Sequence, residues 1–225
     1  MAARALIFDV FGTCVDWRTS VAREVATAIP TIDAFAFADA WRGEYQPAME
    51  RIRSGNRGYV ALDDLHLENL HHVLAKFETA CAEPKELNRA WEKLDPWPDV
   101  CAGLGALKKL ALIAPCSNGS IAMMARLAKY GGLPWDCVLG AEIARNYKPN
   151  PDVYLASARA LRLEPRDVLM VAAHNDDLEA AQNAGFQTAF VPRPTEHGHN
   201  QATDLFPSGS WTIVAQDFRE LARRI

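Results

Sequence analysis

Four short clusters hold the side chains best suited to chemistry. They are Asp9 to Thr13 in "FDVFGT", Ser117 and Asn118 in "SNGS", Lys148 to Tyr154 in "YKPNPDVY", and His174 to Asp177 in "VAAHNDDLEAA". Asp9 follows the apolar run Ala5-Leu6-Ile7-Phe8 directly, and Gly12 permits a tight turn behind it. A carboxylate at the end of a buried strand can cap a helix, hold a metal ion or attack as a nucleophile. Position alone leaves all three open. A serine before residue 120 can equally be a helix N-cap, and Lys148 taken singly reads as a surface lysine.

The elements around these clusters decide how they meet. Residues 4–8 read as a strand. From about 17 to 94 apolar residues recur at three- and four-residue spacing, the helical period, with Thr19 or Ser20 expected as the first N-cap and no convincing strand. "DPWPDV" at 95–100 carries two prolines and marks a boundary. After it strands and helices alternate: "LALIAPCSNGS", "CVLG", "DVLMVAAHNDD", "QTAFV" and "WTIVA" as strands, with helices over "IAMMARLAKYGG", "PDVYLASARALRL", "LEAAQNAG" and the terminus. That order argues an α/β fold, a Rossmann-like parallel sheet core with an inserted helical cap domain. The core is expected over 1–15 and 98–225, the cap over 16–97. Ligands of such sheets bind beyond the carboxyl ends of the strands, where Asp9, Ser117-Asn118 and the 174–177 run all fall.

Bulk properties narrow the function. The 225 residues are 49% hydrophobic and 23% charged, with net charge −4 and no basic block, which sets nucleic acid aside. Five scattered cysteines without a CxxC pair exclude a disulfide framework and a zinc site and fit the cytoplasm. The N-terminus does not read as a signal peptide, and no apolar run is long enough for a membrane span.

In their order and spacing the four clusters resemble the haloacid dehalogenase superfamily over the whole chain, and within it the L-2-haloacid dehalogenases. Two departures separate the sequence from the superfamily's phosphatases. Their first motif is Asp-x-Asp, whose second acid protonates an alkoxide leaving group; here that position is Phe11. A halide leaves unprotonated and needs no such acid. The phosphatases also hold Mg²⁺ with two late carboxylates four residues apart; here the first of that pair is Ala173 and only Asp177 remains. Asp176 reads as a helix N-terminal acid. The resemblance therefore implies no metal and no cofactor.

The resemblance further implies a small 2-haloacid as substrate and assigns roles. Asp9 attacks the halogen-bearing carbon to give an ester, and Lys148 keeps Asp9 ionised. Thr13 and Tyr154 orient Asp9 and Lys148, and Asp177 positions the water that hydrolyses the ester. Ser117 and Asn118 hold the substrate carboxylate and the halide, with Phe11 and Asn175 beside them. Arg42, in "AWRGEYQ", draws off the halide, and Trp41 packs to shield the site from water. Where several dehalogenases carry "SSN", this sequence has Ala172-Ala173-His174-Asn175, and a neutral His174 is expected to orient the water or share the base role with Asp177. His197 and His199 read as a surface loop, and the neighbouring arginines 51, 53 and 57 as surface. Dimerisation is common among such relatives, although no seam for a homodimer is legible. The competing readings are a Mg²⁺-dependent phosphatase of the same superfamily and a non-catalytic binder of small carboxylates.

Overall fold

The computed structural model describes residues 3–225. The chain runs β1 (Ala5–Phe8) and β2 (Val15–Asp16), then helices α1 (Trp17–Ala28), α2 (Ala34–Gly43), α3 (Tyr45–Arg53), α4 (Leu62–Lys76) and α5 (Pro84–Asn88). After β3 (Asp95–Pro96) it alternates: α6 (Val100–Leu107), β4 (Leu112–Ser117), α7 (Ile121–Gly131), β5 (Leu139–Gly140), α8 (Ala141–Ala144) and α9 (Pro151–Ala160). It closes with β6 (Val168–Ala172), α10 (Asn175–Asn183), β7 (Gln187–Phe190), β8 (Ile213–Val214) and α11 (Phe218–Arg224). Six strands form one sheet in the order β5-β4-β1-β6-β7-β8, with every neighbouring pair parallel.

β1 is apolar throughout because both of its faces are covered. Leu6 and Phe8 enter one hydrophobic cluster, Ala5 and Ile7 a second. Its neighbours are β4 and β6, with Phe8 opposite Pro115 and Val171. The carboxyl ends of all three strands therefore point the same way. That brings Asp9 to the same end of the sheet as Ser117 and His174, each over a hundred residues from it in sequence.

The helical cap α1–α5 is inserted between β2 and β3, which pair as a short antiparallel ribbon. The expected cap at Thr19 or Ser20 is corrected: α1 starts earlier, at Trp17, and Asp16 caps it by accepting from Thr19 N at 3.0 Å. Cap and sheet are not separate cores. One cluster runs from Leu6 and Phe8 through Phe11 to Trp17, Trp41 and Trp91. Hydrogen bonds also pin the cap down, among them Arg53 Nη1 donating to Lys148 O at 2.8 Å and Tyr147 Oη to Val60 O at 2.6 Å. Arg53 is thus no surface arginine. Among the described residues no helix is long and apolar enough to cross a membrane.

The turn behind Asp9 is held from below by Arg193. Its Nε donates to Thr13 O at 2.9 Å, and its Nη1 and Nη2 grip Asp99 at 2.7 and 2.9 Å. Asp99 also accepts from Phe218 N at 2.9 Å, so one buried ion pair joins the turn, α6 and α11. Removing one partner of a buried pair strands the other. Arg193→Met is expected to cost about 3–5 kcal/mol, read as a fall in the urea midpoint at unchanged slope. A midpoint equal to wild type would contradict this role.

Candidate active site

Asp9 leaves β1 with its N–H bonded to Val171 O at 3.0 Å, which aims its side chain beyond the sheet edge. The carboxylate is buried and its two oxygens are treated differently. Oδ1 accepts from Lys148 Nζ at 2.8 Å. Oδ2 accepts from Thr13 Oγ1 at 2.7 Å and lies 3.2 Å from His174 Nδ1. Thr13 is fixed in turn by accepting from Ala173 N at 2.9 Å, the strand-end position where a second carboxylate would otherwise stand.

Lys148 reaches the site from the segment before α9, its backbone N–H tied to Asn118 Oδ1 at 2.8 Å. Its ammonium also donates to Asp177 Oδ2, at 2.6 Å, and so bridges the two carboxylates. Burial alone would push the Asp9 carboxyl up, but Lys148 and then His174 outweigh it and hold it well below the usual carboxylate range. Burial likewise opposes the charge on Lys148, and Asp177 and Asp9 together raise its pKa above the ordinary lysine value. Asp177 moves the other way: burial raises it, Lys148 opposes, and the Asp9 charge raises it further. The site thus separates two carboxyl groups into a strongly ionised one and one readier to take a proton.

Two expected roles are corrected here. Tyr154 does not orient Lys148; its hydroxyl donates to Asp177 Oδ1. His174 is not a neutral base, because it stands between two carboxylates, with Nδ1 on Asp9 and Nε2 2.8 Å from Glu196 Oε2. Burial disfavours its charge, but Glu196 and Asp9 raise its pKa well above the ordinary histidine value. A doubly protonated imidazole has no lone pair with which to accept a proton.

A cavity of about 340 Å³ opens over these groups, lined by Asp9, Phe11, Lys148, His174 and Asp177 from below and by Arg42 and Tyr45 from the cap. Asn118 also lines it; with Oδ1 engaged by Lys148, its amide Nδ2 remains as the donor. Arg42 sits on α2 with its guanidinium carbon 3.9 Å from the Tyr45 ring centre, 5.3 Å from Trp17 and 5.9 Å from Phe11. Its Nη1 is buried and has no partner, an orphaned cationic donor in an aromatic collar.

Five sequence-expected residues lie outside the cavity wall: Thr13 and Tyr154, which bond Asp9 and Asp177 from behind, and Ser117, Asn175 and Trp41. Ser117 is fully buried, and its hydroxyl accepts from Gly119 N at 3.1 Å, while Ser120 caps α7. Asn175 is corrected from substrate contact to scaffold. Its amide spans Asp204, Phe206 O, Ser208 N and Trp211 Nε1, which uses its whole hydrogen-bonding capacity to anchor the 204–211 loop. Trp41 is buried in the cap, its Nε1 donating to His66 O at 2.9 Å, so it packs as expected but touches no ligand space. His197, read as surface, stands at the cavity rim beside Trp17.

Sequence reasoning missed Glu196, Tyr45 and Arg193. Glu196 and Arg193 lie in an irregular strap after β7 with no periodicity to flag them. The one available signal was the pairing of a buried-strand histidine with some acid, which a sequence cannot locate.

The residues do not fit a divalent metal ion. Among the described residues no group of three His, Cys, Asp or Glu side chains is arranged to hold one. The place between Asp9 and Asp177 is taken by an ammonium, and Ala173 offers no side-chain oxygen.

A doubly wound sheet with a buried, ionised aspartate at the tip of its first strand and a closed cap above it defines a class of hydrolase. The profile of haloacid dehalogenase-like hydrolases matches residues 3–185, and the chain belongs to that family. Within it the chain stands with the L-2-haloacid dehalogenases. A defluorinating L-2-haloacid dehalogenase of known structure is 48% identical, with a TM-score of 0.96 over 99% of this chain and 94% of that one. Another L-2-haloacid dehalogenase structure is 41% identical, again with a TM-score of 0.96 and 99% of both chains covered. The (S)-2-haloacid dehalogenase of Xanthobacter autotrophicus is 30% identical over 84% of this chain and 75% of its own.

The bridging ammonium gives a signed prediction. In Lys148→Met Asp177 keeps its burial and the repulsion of Asp9 but loses its counter-charge, while Asp9 keeps only His174 beside it. The folded pKa of Asp177 then rises further above the unfolded value of about 4. A group raised in this way contributes stability only below its unfolded pKa and costs stability as pH rises above it. The variant should lose about 3–5 kcal/mol at pH 8 and less at pH 5, measured by urea unfolding. An equal loss at both pH values would contradict the ionised pair.

Proposed function

We propose that the chain is a metal-independent hydrolytic dehalogenase of short 2-haloalkanoic acids, such as haloacetates or 2-halopropionates. The carrying observation is a buried Asp9 that lies on Lys148 at 2.8 Å, in a cavity with no acid at position 11 and an orphaned guanidinium opposite. Oδ2 already carries two donors, so Oδ1 is the attacking atom. It displaces the halide in line from C2, the C–X bond electrons leave with the halide, and an ester forms between C2 and Oδ1.

Arg42 receives the halide. Its free Nη1 gains a partner only as negative charge develops there, which is the condition for lowering a barrier rather than merely binding. Phe11 and Tyr45 keep that space dry. The amide Nδ2 of Asn118 and the backbone beside it hold the substrate carboxylate. Water then attacks Cγ of the ester, with Asp177 taking its proton; Lys148 and Tyr154 fix the orientation of that carboxylate. A 340 Å³ cavity is at the small end of ligand sites, as two- and three-carbon acids require. We take the cap as residues 16–97, closing on a core of 1–15 and 98–225, and the five unpaired cysteines support a cytoplasmic enzyme.

The test is halide release from chloroacetate, fluoroacetate and racemic 2-chloropropionate in EDTA, with Asp9→Asn as control. Steady release by wild type alone is expected, and Arg42→Met should lower kcat by about 10²–10³-fold. Phosphate release from phosphoglycolate that EDTA abolishes, with no halide from any haloacid, would overturn the reading in favour of a phosphatase.

A further inference from the structure

Glu196 is a buried carboxylate that the proposed chemistry does not use. It is 1% exposed. Its Oε1 accepts from Trp17 Nε1 at 3.0 Å, and its Oε2 meets His174 Nε2 at 2.8 Å. Room for it is built into the first motif. A Cβ at Gly12, where φ is +89°, would fall 2.0 Å from Oε1, so the glycine beside the attacking aspartate is required both by the turn and by this acid. The other nitrogen of His174 faces Asp9 Oδ2 at 3.2 Å, on the oxygen that also carries Thr13. Glu196, His174 and Asp9 therefore form one line from the strap to the reacting carboxylate.

We propose that Glu196 is a positioning residue that keeps His174 a cationic donor on Asp9 Oδ2, where His174 and Thr13 form an oxyanion hole for hydrolysis of the ester. The inference rests on the dehalogenase reading and concerns its second half. When Oδ1 bonds to C2, Oδ2 becomes the ester carbonyl oxygen without moving from its two donors. Water adds to Cγ, one of its protons passes to Asp177, and the carbonyl pair moves onto Oδ2. The negative charge thus lands where the Thr13 hydroxyl and the His174 N–H already point. The pair then returns, the Cγ–Oδ1 bond breaks, and Oδ1 departs with the product, taking the proton held by Asp177. The remaining proton on Asp9 goes to solvent.

Charge accounting favours a cation at this place. Arg42 and Lys148 balance the halide and Asp177, and ester formation removes the Asp9 charge that had helped hold His174 protonated. Glu196 is then the one carboxylate in contact with the imidazole. Of the other charged groups around it, Asp176 and Asp204 line the cavity and His197 sits 3.7 Å from Glu196 Oε1. Without Glu196, the ester state would present a neutral ring, and the tautomer protonated at Nδ1 would no longer be fixed.

Glu196→Gln keeps the shape and removes the charge. Expected are a halide burst of one equivalent at near wild-type rate, turnover lower by about 10²-fold or more, and esterified protein accumulating by intact mass. The alkaline limb of kcat should move down by about one to three pH units, because losing the carboxylate lowers the pKa of His174. An equal loss in burst and turnover, with no ester and an unmoved limb, would overturn the proposal. If that variant fails to fold, His174→Asn takes its place: ester accumulation with the alkaline limb gone supports the pairing, and wild-type turnover overturns it. If wild type releases no halide at all, the dehalogenase reading fails. The pairing is then decided by NMR titration of His174 in wild type and Glu196→Gln, where an unchanged titration overturns it and a lower one supports it.

Discussion

The structure depends on one ammonium group held between two buried carboxylates. Lys148 Nζ lies 2.8 Å from Asp9 and 2.6 Å from Asp177, and all three side chains are buried. Taken singly, each would be costly to bury in charged form. Together they make a site in which Asp9 stays ionised and Asp177 is easier to protonate, so the two acids can take different parts. The rest of the fold serves that triad. The parallel sheet places Asp9 at the end of β1 beside the end of β6, from which α10 starts and carries Asp177 in its first turn, and the Asn118 side chain holds the Lys148 backbone.

The cap completes the site by excluding water rather than by supplying acids and bases. Its contribution is a guanidinium, an aromatic collar and latches such as Arg53 donating to Lys148 O and Val60 O accepting from Tyr147 Oη. One apolar cluster runs through both parts, so the cap is packed onto the core directly above the buried Asp9–Lys148 pair. His66 illustrates how dry the region is: it stacks 4.2 Å from Trp91, both ring nitrogens lack partners, and burial, then Arg42, hold its pKa well below the ordinary value.

Much of this was legible in the sequence, for reasons specific to particular residues. The apolar run into Asp9 read as a buried strand, and the later alternation of strands and helices argued a parallel sheet. The convergence of strand ends predicted that Asp9, Ser117-Asn118 and the 174–177 run would meet; it was the resemblance to the dehalogenases that singled out Thr13, Lys148 and Asp177 as the partners of Asp9. Phe11 and Ala173 were readable as absences only against the acids that the superfamily's phosphatases carry at those places. What was not legible depends on partners chosen in three dimensions. Tyr154 could point at Lys148 or Asp177 from the same helix, and only the packing selects Asp177. Asn175 looked like a ligand-facing amide because nothing in "HNDD" shows that a loop thirty residues on consumes it. His174 was assigned the wrong charge because Glu196 lies in an aperiodic strap, invisible to pattern reading. Asp16 displaced Thr19 and Ser20 as cap because the ribbon to β3 ends there and starts the helix one turn earlier.

The central claim is that Asp9 itself forms the bond to carbon. The direct measurement is a single turnover with enzyme in excess over 2-chloropropionate in H₂¹⁸O, followed by mass analysis of the product and of the peptide containing Asp9. Unlabelled 2-hydroxy acid with ¹⁸O in the Asp9 carboxylate is the result required, because the product oxygen comes from Oδ1 and water restores the carboxylate. Label in the product and none in Asp9 would mean that water attacks the carbon directly, and the account would be wrong at its centre.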